Sequence, residues 1–448
     1  TVIRSQPESS AGANDPGTLV ITRGAKIRAL GTAANPIVFT NLDDDNVGPH
    51  VGTPPYDTAA NSLSITGTWG GVILLGRSYV ANNAAAGPDA SREVQIEGLV
   101  AAGGLGLYGG CNVFTPSIFP DCDDDDSGTM SYVSIRYGGF NLSAANEING
   151  LTLGAVGRET DLSFIEIFQN KDDGIEFFGG TAGIRNLVVA NVGDDSVDYD
   201  EGWRGKGQFV FAMQGTPGTD KSDKGGEHDG GNSPDSSQPF AIPAIYNATF
   251  VGLGQKGFSG STGNTALKFR DNAGGRYYNS YFTDFGGATV LMEGGSSTST
   301  DPSTSGERAI TAYVPDGTCS SSATACSHSG DCPAGETCQG FFLGPDSSYQ
   351  LELENNNFQC FGRQEDPDVV GLGRALSQPT LGVCATDTVP PVLTSGTCLE
   401  AAECAGGEIC LDSPRAYGGD ANKLQYDTGL LSNPALGNAY ASCASALQ

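Results

Sequence analysis

Two acidic blocks 22 residues apart hold the densest set of side chains able to do chemistry. Asp172-Asp173-Gly174-Ile175-Glu176 is matched at constant offset by Asp194-Asp195-Ser196-Val197-Asp198, with Asp200 and Glu201 following. If that period is one turn of a stacked strand, the matched carboxylates lie about 4.8 Å apart. Like charges that close repel. The ladder Asp172, Asp173, Glu176, Asp194, Asp195, Asp198, Asp200 and Glu201 therefore calls for a compensating partner. A hard divalent cation, calcium above all, suits it, since calcium takes six to eight carboxylate and carbonyl oxygens at loose geometry. Arg204 and Lys206 just beyond offer a second source of compensation. The competing readings are a solvated acidic face and a set of catalytic carboxylates.

Other candidates are weaker. Asp123 to Asp126 form an unbroken run after Cys122, unlike the spaced acidic loop of an EF-hand, and read either as an ion site or as a charged surface loop. Asp43 to Asp45 say less. His228, between Glu227 and Asp229 in a Gly-rich stretch, reads as a loop-ordering hydrogen-bonding group or a metal ligand. With three His in the chain, a His-rich zinc or copper centre has too few ligands. There is no nucleophile elbow, phosphate loop, dinucleotide fingerprint or CxxCH haem motif.

Charge narrows the partners. Lys plus Arg number 23 against 52 Asp plus Glu, a formal charge of −29. Such a field repels nucleic acid and anionic membranes and attracts cations. No run of 18 apolar residues is present to span a membrane. The first residue is Thr1, which we read as the product of leader removal or as the interior of a longer protein.

The elements that must position the ladder follow from the repeat. Leu162, Ile165 and Ile167 precede Ile184, Leu187 and Val189 by the same 22 residues. Met130, Val133 and Ile135 come 32 residues before the first set, so a loop is inserted there. A period near 22 with short alternating strands and Gly, Asn and Asp turns marks a β-solenoid. Ile165 and Ile167 point inward and Glu166 outward. Gly, at 65 of 448 residues, suits such turns. The predicted fold is all-β: a right-handed, single-stranded parallel β-helix over 1–300, with long loops near 41–62, 81–128 and 214–240. Further strands are predicted at 19–21, 25–27, 37–39, 72–75, 248–251, 267–269, 278–282 and 288–292. Asn247 and Asn279, each before a strand, read as turn residues, and so does Asn141, although Asn141 and Asn247 head glycosylation sequons.

From 301 to 448 the composition changes to a Cys-rich region. Cys319, Cys326, Cys332 and Cys338 are seven, six and six apart, and Cys384, Cys398, Cys404 and Cys410 repeat part of that spacing. We read two four-Cys modules, 316–340 and 384–412, with β-helix strands possible over 341–375. Cys111 would pair with Cys122, and Cys360 with Cys443; pairing inside the modules stays open. Even Cys in this pattern implies disulfides and an oxidising compartment, hence a secreted protein, outside the cell or on its surface.

The strings Gly70 to Gly76, Ser131 to Gly139, Asn146 to Gly154, Asp172 to Gly180, Asp194 to Lys206 and Glu227 to Gly231 together resemble a large family of bacterial secreted or surface-anchored parallel β-helix proteins, lipoprotein-like and without established activity. The resemblance covers about residues 1–300 and implies fold and location only; the Cys modules resemble small modules of secreted bacterial proteins. Pectin-degrading β-helices use neighbouring carboxylates, a His and an Arg/Lys pair. Asp172, Asp173, Asp194, Asp195, His228 and Arg204-x-Lys206 are similar to that kit in residue type. Here, however, the Arg-x-Lys precedes the His, and the Asn-x-Asp and Gly-His-Gly strings are missing. The expected function is a cation-stabilised, non-enzymatic extracellular scaffold or adhesin, self-associating into a filament or layer or bound to a surface glycan. A carbohydrate-active enzyme is the alternative.

Overall fold

A computed structural model describes residues 1–5, 17–42, 44, 65–82, 92–99, 103–110, 122–140, 148–215, 222–232, 237, 239, 241–253, 265–271, 273–285 and 290–293, and beyond these only 321, 322, 356 and the short strands named below. The repeat folds as a parallel β-helix. One wall stacks Val2–Ser5, Ile37–Asn41, Gly128–Arg136, Asp161–Phe168, Gly183–Ala190, Lys206–Met213, Thr249–Val251, Tyr281–Thr283, Asn357–Gln359 and Ala439–Ala441 in that order. Ile27–Leu30 joins it beside Gly128–Arg136, and Ala244–Tyr246, Gly275–Tyr278 and Leu351–Glu354 run alongside the later strands. The second wall stacks Thr18–Ile21, Gly71–Leu75, Leu151–Gly154, Ile175–Phe178, Val197–Asp200, Lys224–His228, Thr265–Phe269 and Val290–Glu293.

Register follows the sequence period. Leu162, Ile165 and Ile167 pair with Ile184, Leu187 and Val189 on one side and with Met130, Val133 and Ile135 on the other. These side chains face inward and are essentially dry. One coil exposes too much apolar surface to stand alone, and each neighbour removes about 1.5–3 kcal/mol worth per buried aliphatic side chain.

The long strands of the first wall turn a corner midway. Tyr132, Phe164, Asn186, Phe209, Asn247 and Asn279 occupy this corner on successive coils with φ between 51° and 59°. This left-handed region is natural for Asn and strained for Phe and Tyr. The corner splits the strand predicted over 278–282 into Gly275–Tyr278 and Tyr281–Thr283 around Asn279; the early strand expected at 25–27 is Ile27–Leu30.

The stack runs on past residue 300. Leu351–Glu354 and Asn357–Gln359 pair in parallel with Gly275–Tyr278 and Tyr281–Thr283, and Ala439–Ala441 follows. In the second wall the direction reverses: Lys423–Gln425 lies antiparallel on Val290–Glu293 and carries Arg415–Ala416. Between these coils the two Cys modules each form a three-stranded antiparallel sheet, Gly317–Cys319 between Ala325–Cys326 and Cys338–Gly340, and Gly382–Thr386 between Leu393–Cys398 and Glu408–Leu411. Their registers correspond: Cys319 opposes Cys338 as Cys384 opposes Cys410, and Cys326 opposes Gly317 as Cys398 opposes Gly382. Cys122 is disulfide-bonded. Cys111, Cys332, Cys360, Cys404 and Cys443 lie outside the described residues, as do Asp43, Asp45 and Asn141.

Candidate cation site

Alternation along the second wall sets the site. In Ile175–Phe178, Ile175 and Phe177 enter the core, so Glu176 faces out. In parallel register Glu176 opposes Asp198, Asp198 opposes Glu227, and Glu227 opposes Lys268. Outward here does not mean wet, because Glu176, Asp198 and Glu227 are each 8% exposed. The turn before each strand repeats one bond. The Asp195 amide donates to Asp173 Oδ1 at 2.9 Å, and the Lys224 amide donates to Asp195 Oδ1 at 2.6 Å.

These rungs bring the carboxylates together in overlapping groups whose oxygens lie within 4.8 Å of one another. Asp173, Glu176 and Asp198 form one buried group and Asp195, Asp198 and Glu227 another. Asp172 with Asp173 and Asp194, and Asp194 with Asp195 and Asp223, make the half-buried rim.

Among the described residues, Lys224, Lys268 and Arg270 gather at the Asp195, Glu227 and Asp229 end of this array. Lys224 Nζ lies 3.2 Å from Asp195 and 3.4 Å from Glu227, Lys268 Nζ lies 2.5 Å from Glu227, and Arg270 reaches Glu227 at 3.4 Å and also grips Asp229. Burial pushes Glu227 upward, but Lys224, Arg270 and Lys268 outweigh it and hold its pKa at about 2. At the other end, Asp173 and Glu176 make no ion pair to a described basic residue. The Asp198 carboxylate accepts no hydrogen bond from a described residue, and its Oδ1 is buried without a partner among them. Asn149 donates through Nδ2 to Glu176 while its own Oδ1 is buried and unpartnered. Burial first, then neighbouring acids, pushes Asp173, Glu176 and Asp198 well above the usual carboxylate range.

The sequence model of the family described as a pectate-lyase-like beta helix domain matches residues 3–313. The chain belongs to this family. No curated protein and no solved structure matches it.

In this pectate-lyase-like β-helix several expected roles change. His228 lies on a strand, not in a loop, and points into the core, on the opposite face from Glu227. Its ring stacks on Tyr199 at 4.1 Å, Nε2 meets the Tyr277 hydroxyl at 2.7 Å, and it is 0% exposed. Burial lowers its pKa to about 3, so it is a neutral core residue out of reach of the carboxylates as either ligand or base. Asp200 and Glu201 belong to none of the carboxylate groups. Asp200 caps the Glu201 amide, while Glu201 accepts hydrogen bonds from Tyr108 at 2.5 Å and Asn82 at 2.6 Å. Arg204 does not compensate the ladder; it makes a two-pronged pair with Asp123 at 2.7 and 2.9 Å. Lys206 is exposed on the first wall.

The Asp123 to Asp126 run is a bracket rather than an ion loop. Asp123 takes Arg204, Asp124 takes Arg158 at 2.5 Å, Asp125 accepts the Gly157 amide at 3.4 Å, and Asp126 pairs with Lys26. Sequence reading missed Asp223 and Asn149 and treated Glu227 only as part of a motif. Glu227 was legible in principle, because it is the next outward position after Glu176 and Asp198; an inserted loop broke the 22-residue count. Among the described residues, no helix is long and apolar enough to cross a membrane.

Proposed function

We propose that this β-helix is a secreted, non-enzymatic scaffold at or beyond the cell surface, its coils locked by a hard divalent cation, calcium above all. Asp173, Glu176 and Asp198 hold the ion. The observation that carries this reading is the meeting of three buried carboxylates from adjoining rungs, none ion-paired to a described Lys or Arg and one accepting no hydrogen bond from a described residue. Leaving such charges buried without a counter-ion costs several kcal/mol. Three carboxylates and the Asn149 Oδ1 supply an all-oxygen donor set, which favours calcium over zinc or copper. Self-association or contact with a surface glycan is the partnership such a scaffold calls for.

Calcium titration by calorimetry should show binding that Asp198→Asn abolishes. Exhaustive chelation should lower the melting temperature by several degrees, because saturating a site about 100-fold above its Kd stabilises by about 2.7 kcal/mol. An unchanged melting curve in chelator removes the proposal.

Family membership supports a second reading, a carbohydrate-active β-helix working through Asp172, Asp173, Asp194 and Asp195. Asp173 and Asp195 are 7% and 1% exposed, which leaves a polysaccharide only the rim acids Asp172 and Asp194 to meet. A screen of acidic and neutral polysaccharides separates the readings. Reducing-sugar release lost in Asp194→Asn would replace the scaffold with the enzyme.

A further inference from the structure

The outer face of the first wall reverses the charge balance of the molecule. Over the whole chain acids outnumber bases 52 to 23. On this face a hollow of about 470 Å³, within the size range of small-molecule sites, is lined by three bases, Arg158, Arg185 and Lys206, and one acid, Asp161. Register explains the gathering. Ser163, Arg185, Gln208, Tyr246 and Tyr278 succeed one another as outward positions on adjoining rungs. Beside this column Asp161 is followed by Gly183, and Lys206 comes on the next rung. A Cβ at Gly183 would meet nothing nearer than the Lys206 carbonyl at 3.3 Å, so the glycine leaves the floor of the hollow open.

Two of these cations take no part in holding the fold. Arg158 is shared with Asp124 at 2.5 Å. The side chains of Arg185 and Lys206 are exposed and make no ion pair or hydrogen bond with a described residue. Like charges on adjoining rungs repel. A wall that served only the coil would set acids between them, as Glu166 stands by Arg136 at 2.9 Å on this same wall. The aromatic lining is held more firmly. Tyr246 is backed by Tyr278, the two rings 4.9 Å apart and 20° from parallel. Tyr278 covers one face of the Tyr246 ring, which leaves the other turned to the rung of Gln208 and the hollow.

We infer that this hollow binds a sugar carrying a tetrahedral oxyanion, a phosphate or sulfate ester. Arg185 and Lys206 take the anion, one as a planar fork and the other as a point charge. The Tyr246 ring supports the apolar face of the sugar. Asp161 as acceptor and Gln208 as donor and acceptor serve its hydroxyls. Two cations on separate rungs suit an ester group, whose three terminal oxygens spread in space beyond a linking oxygen. A uronate carboxylate has two coplanar oxygens and is matched by a single guanidinium fork. The inference rests on the surface-glycan contact of the scaffold reading, to which it gives a place and a chemistry, and not on the cation.

The test titrates the full chain with glucose 6-phosphate and glucose 6-sulfate, read by saturation-transfer NMR, with glucose, inorganic phosphate and glucuronate as comparisons. At least one ester should bind about tenfold more tightly than each of the three comparisons, and the stronger ester names the source of the anion. Arg185→Gln and Lys206→Gln should each weaken it about tenfold, the worth of one charge-assisted hydrogen bond, at unchanged melting temperature. Tyr246→Ala should weaken it and Tyr246→Phe retain it. Lys171→Gln, which removes an exposed cation in the turn after Phe168, should leave it unchanged. Glucuronate binding as tightly as the esters overturns the assignment, and so does Lys171→Gln weakening binding as much as Arg185→Gln. Calcium titration of the same samples is a separate reading: its failure sinks the cation proposal alone, and failure of both esters to bind sinks this inference alone.

Discussion

At the scale of single residues, two kinds of buried acid coexist. Asp123 is buried and satisfied: Arg204 grips both its oxygens, Ser78 donates to it, and its pKa is lowered although burial alone would raise it. Asp198 is equally buried and unsatisfied. The two should respond oppositely to neutralisation. Asp123→Ala strands the Arg204 guanidinium and should destabilise by about 3–5 kcal/mol, read by denaturant unfolding. Asp198→Asn removes a buried charge whose Oδ1 has no hydrogen-bond partner and should raise the melting temperature in chelator, yet abolish the gain from calcium. A lower melting temperature in chelator would show that the attraction of Arg270 already outweighs the repulsion Asp198 feels from its neighbouring acids.

The pH dependence follows from the same residues. Carboxylates whose folded pKa is raised bind protons more tightly when folded. Asp173, Glu176 and Asp198 therefore stabilise the protonated, cation-free fold below their unfolded pKa near 4, and that contribution is lost as pH rises through their raised folded values. The melting-temperature difference between calcium and chelator should accordingly widen from pH 5 to pH 8; a constant difference would separate these acids from the ion. Taking a difference cancels the opposing effect of His228, which is neutral in the fold down to about pH 3. Sequence alone marked the acids but not their states. Which one has Lys224 or Arg204 beside it depends on loop lengths that no residue count records.

At the scale of elements, most of the architecture was legible. The 22-residue offset became strand register at residue after residue, because a solenoid turns sequence period directly into spatial neighbourhood. What stayed hidden was the corner in the first wall, since Phe164 and Phe209 carry none of the Asn or Gly signal that marks left-handed backbone. Phe209, 51% exposed at φ 59°, should therefore be improvable: Phe209→Asn is expected to stabilise by about 1 kcal/mol. Unfolding at unchanged or lower denaturant concentration would mean that the ring makes a contact of compensating value. Gly174 is the converse. A Cβ there would meet the Ser196 carbonyl at 2.6 Å, so Gly174→Ala should cost about 1–3 kcal/mol, read by the same unfolding curves, and pull Asp173 away from Asp198. The turn pattern showed a glycine was wanted; only stacked coils show how tightly.

At the scale of the whole molecule, charge and continuity matter most. The formal charge of −29 makes self-repulsion a standing term against compactness. The proposed cations between rungs would offset it at the acidic column, so the calcium effect should shrink in high monovalent salt at the rim but persist at the buried triad. The Cys modules interrupt the chain without ending the solenoid, because strands after each of them return to the same stack. That return was suggested by the strand-like text after the first module and invisible after the second.

Among the described residues the second wall ends not on Lys423–Gln425, which runs against the strands beneath it, but on the two-residue strand Arg415–Ala416, antiparallel to it in turn. An incoming copy that tried to prolong the molecule by offering its own first coil would find only two residues of strand to pair with on this wall, too short an edge to hold it. Growth by simple extension is thereby obstructed at this pole. Copies of this chain, were they to join, would then do so more readily flank to flank than by adding a rung here.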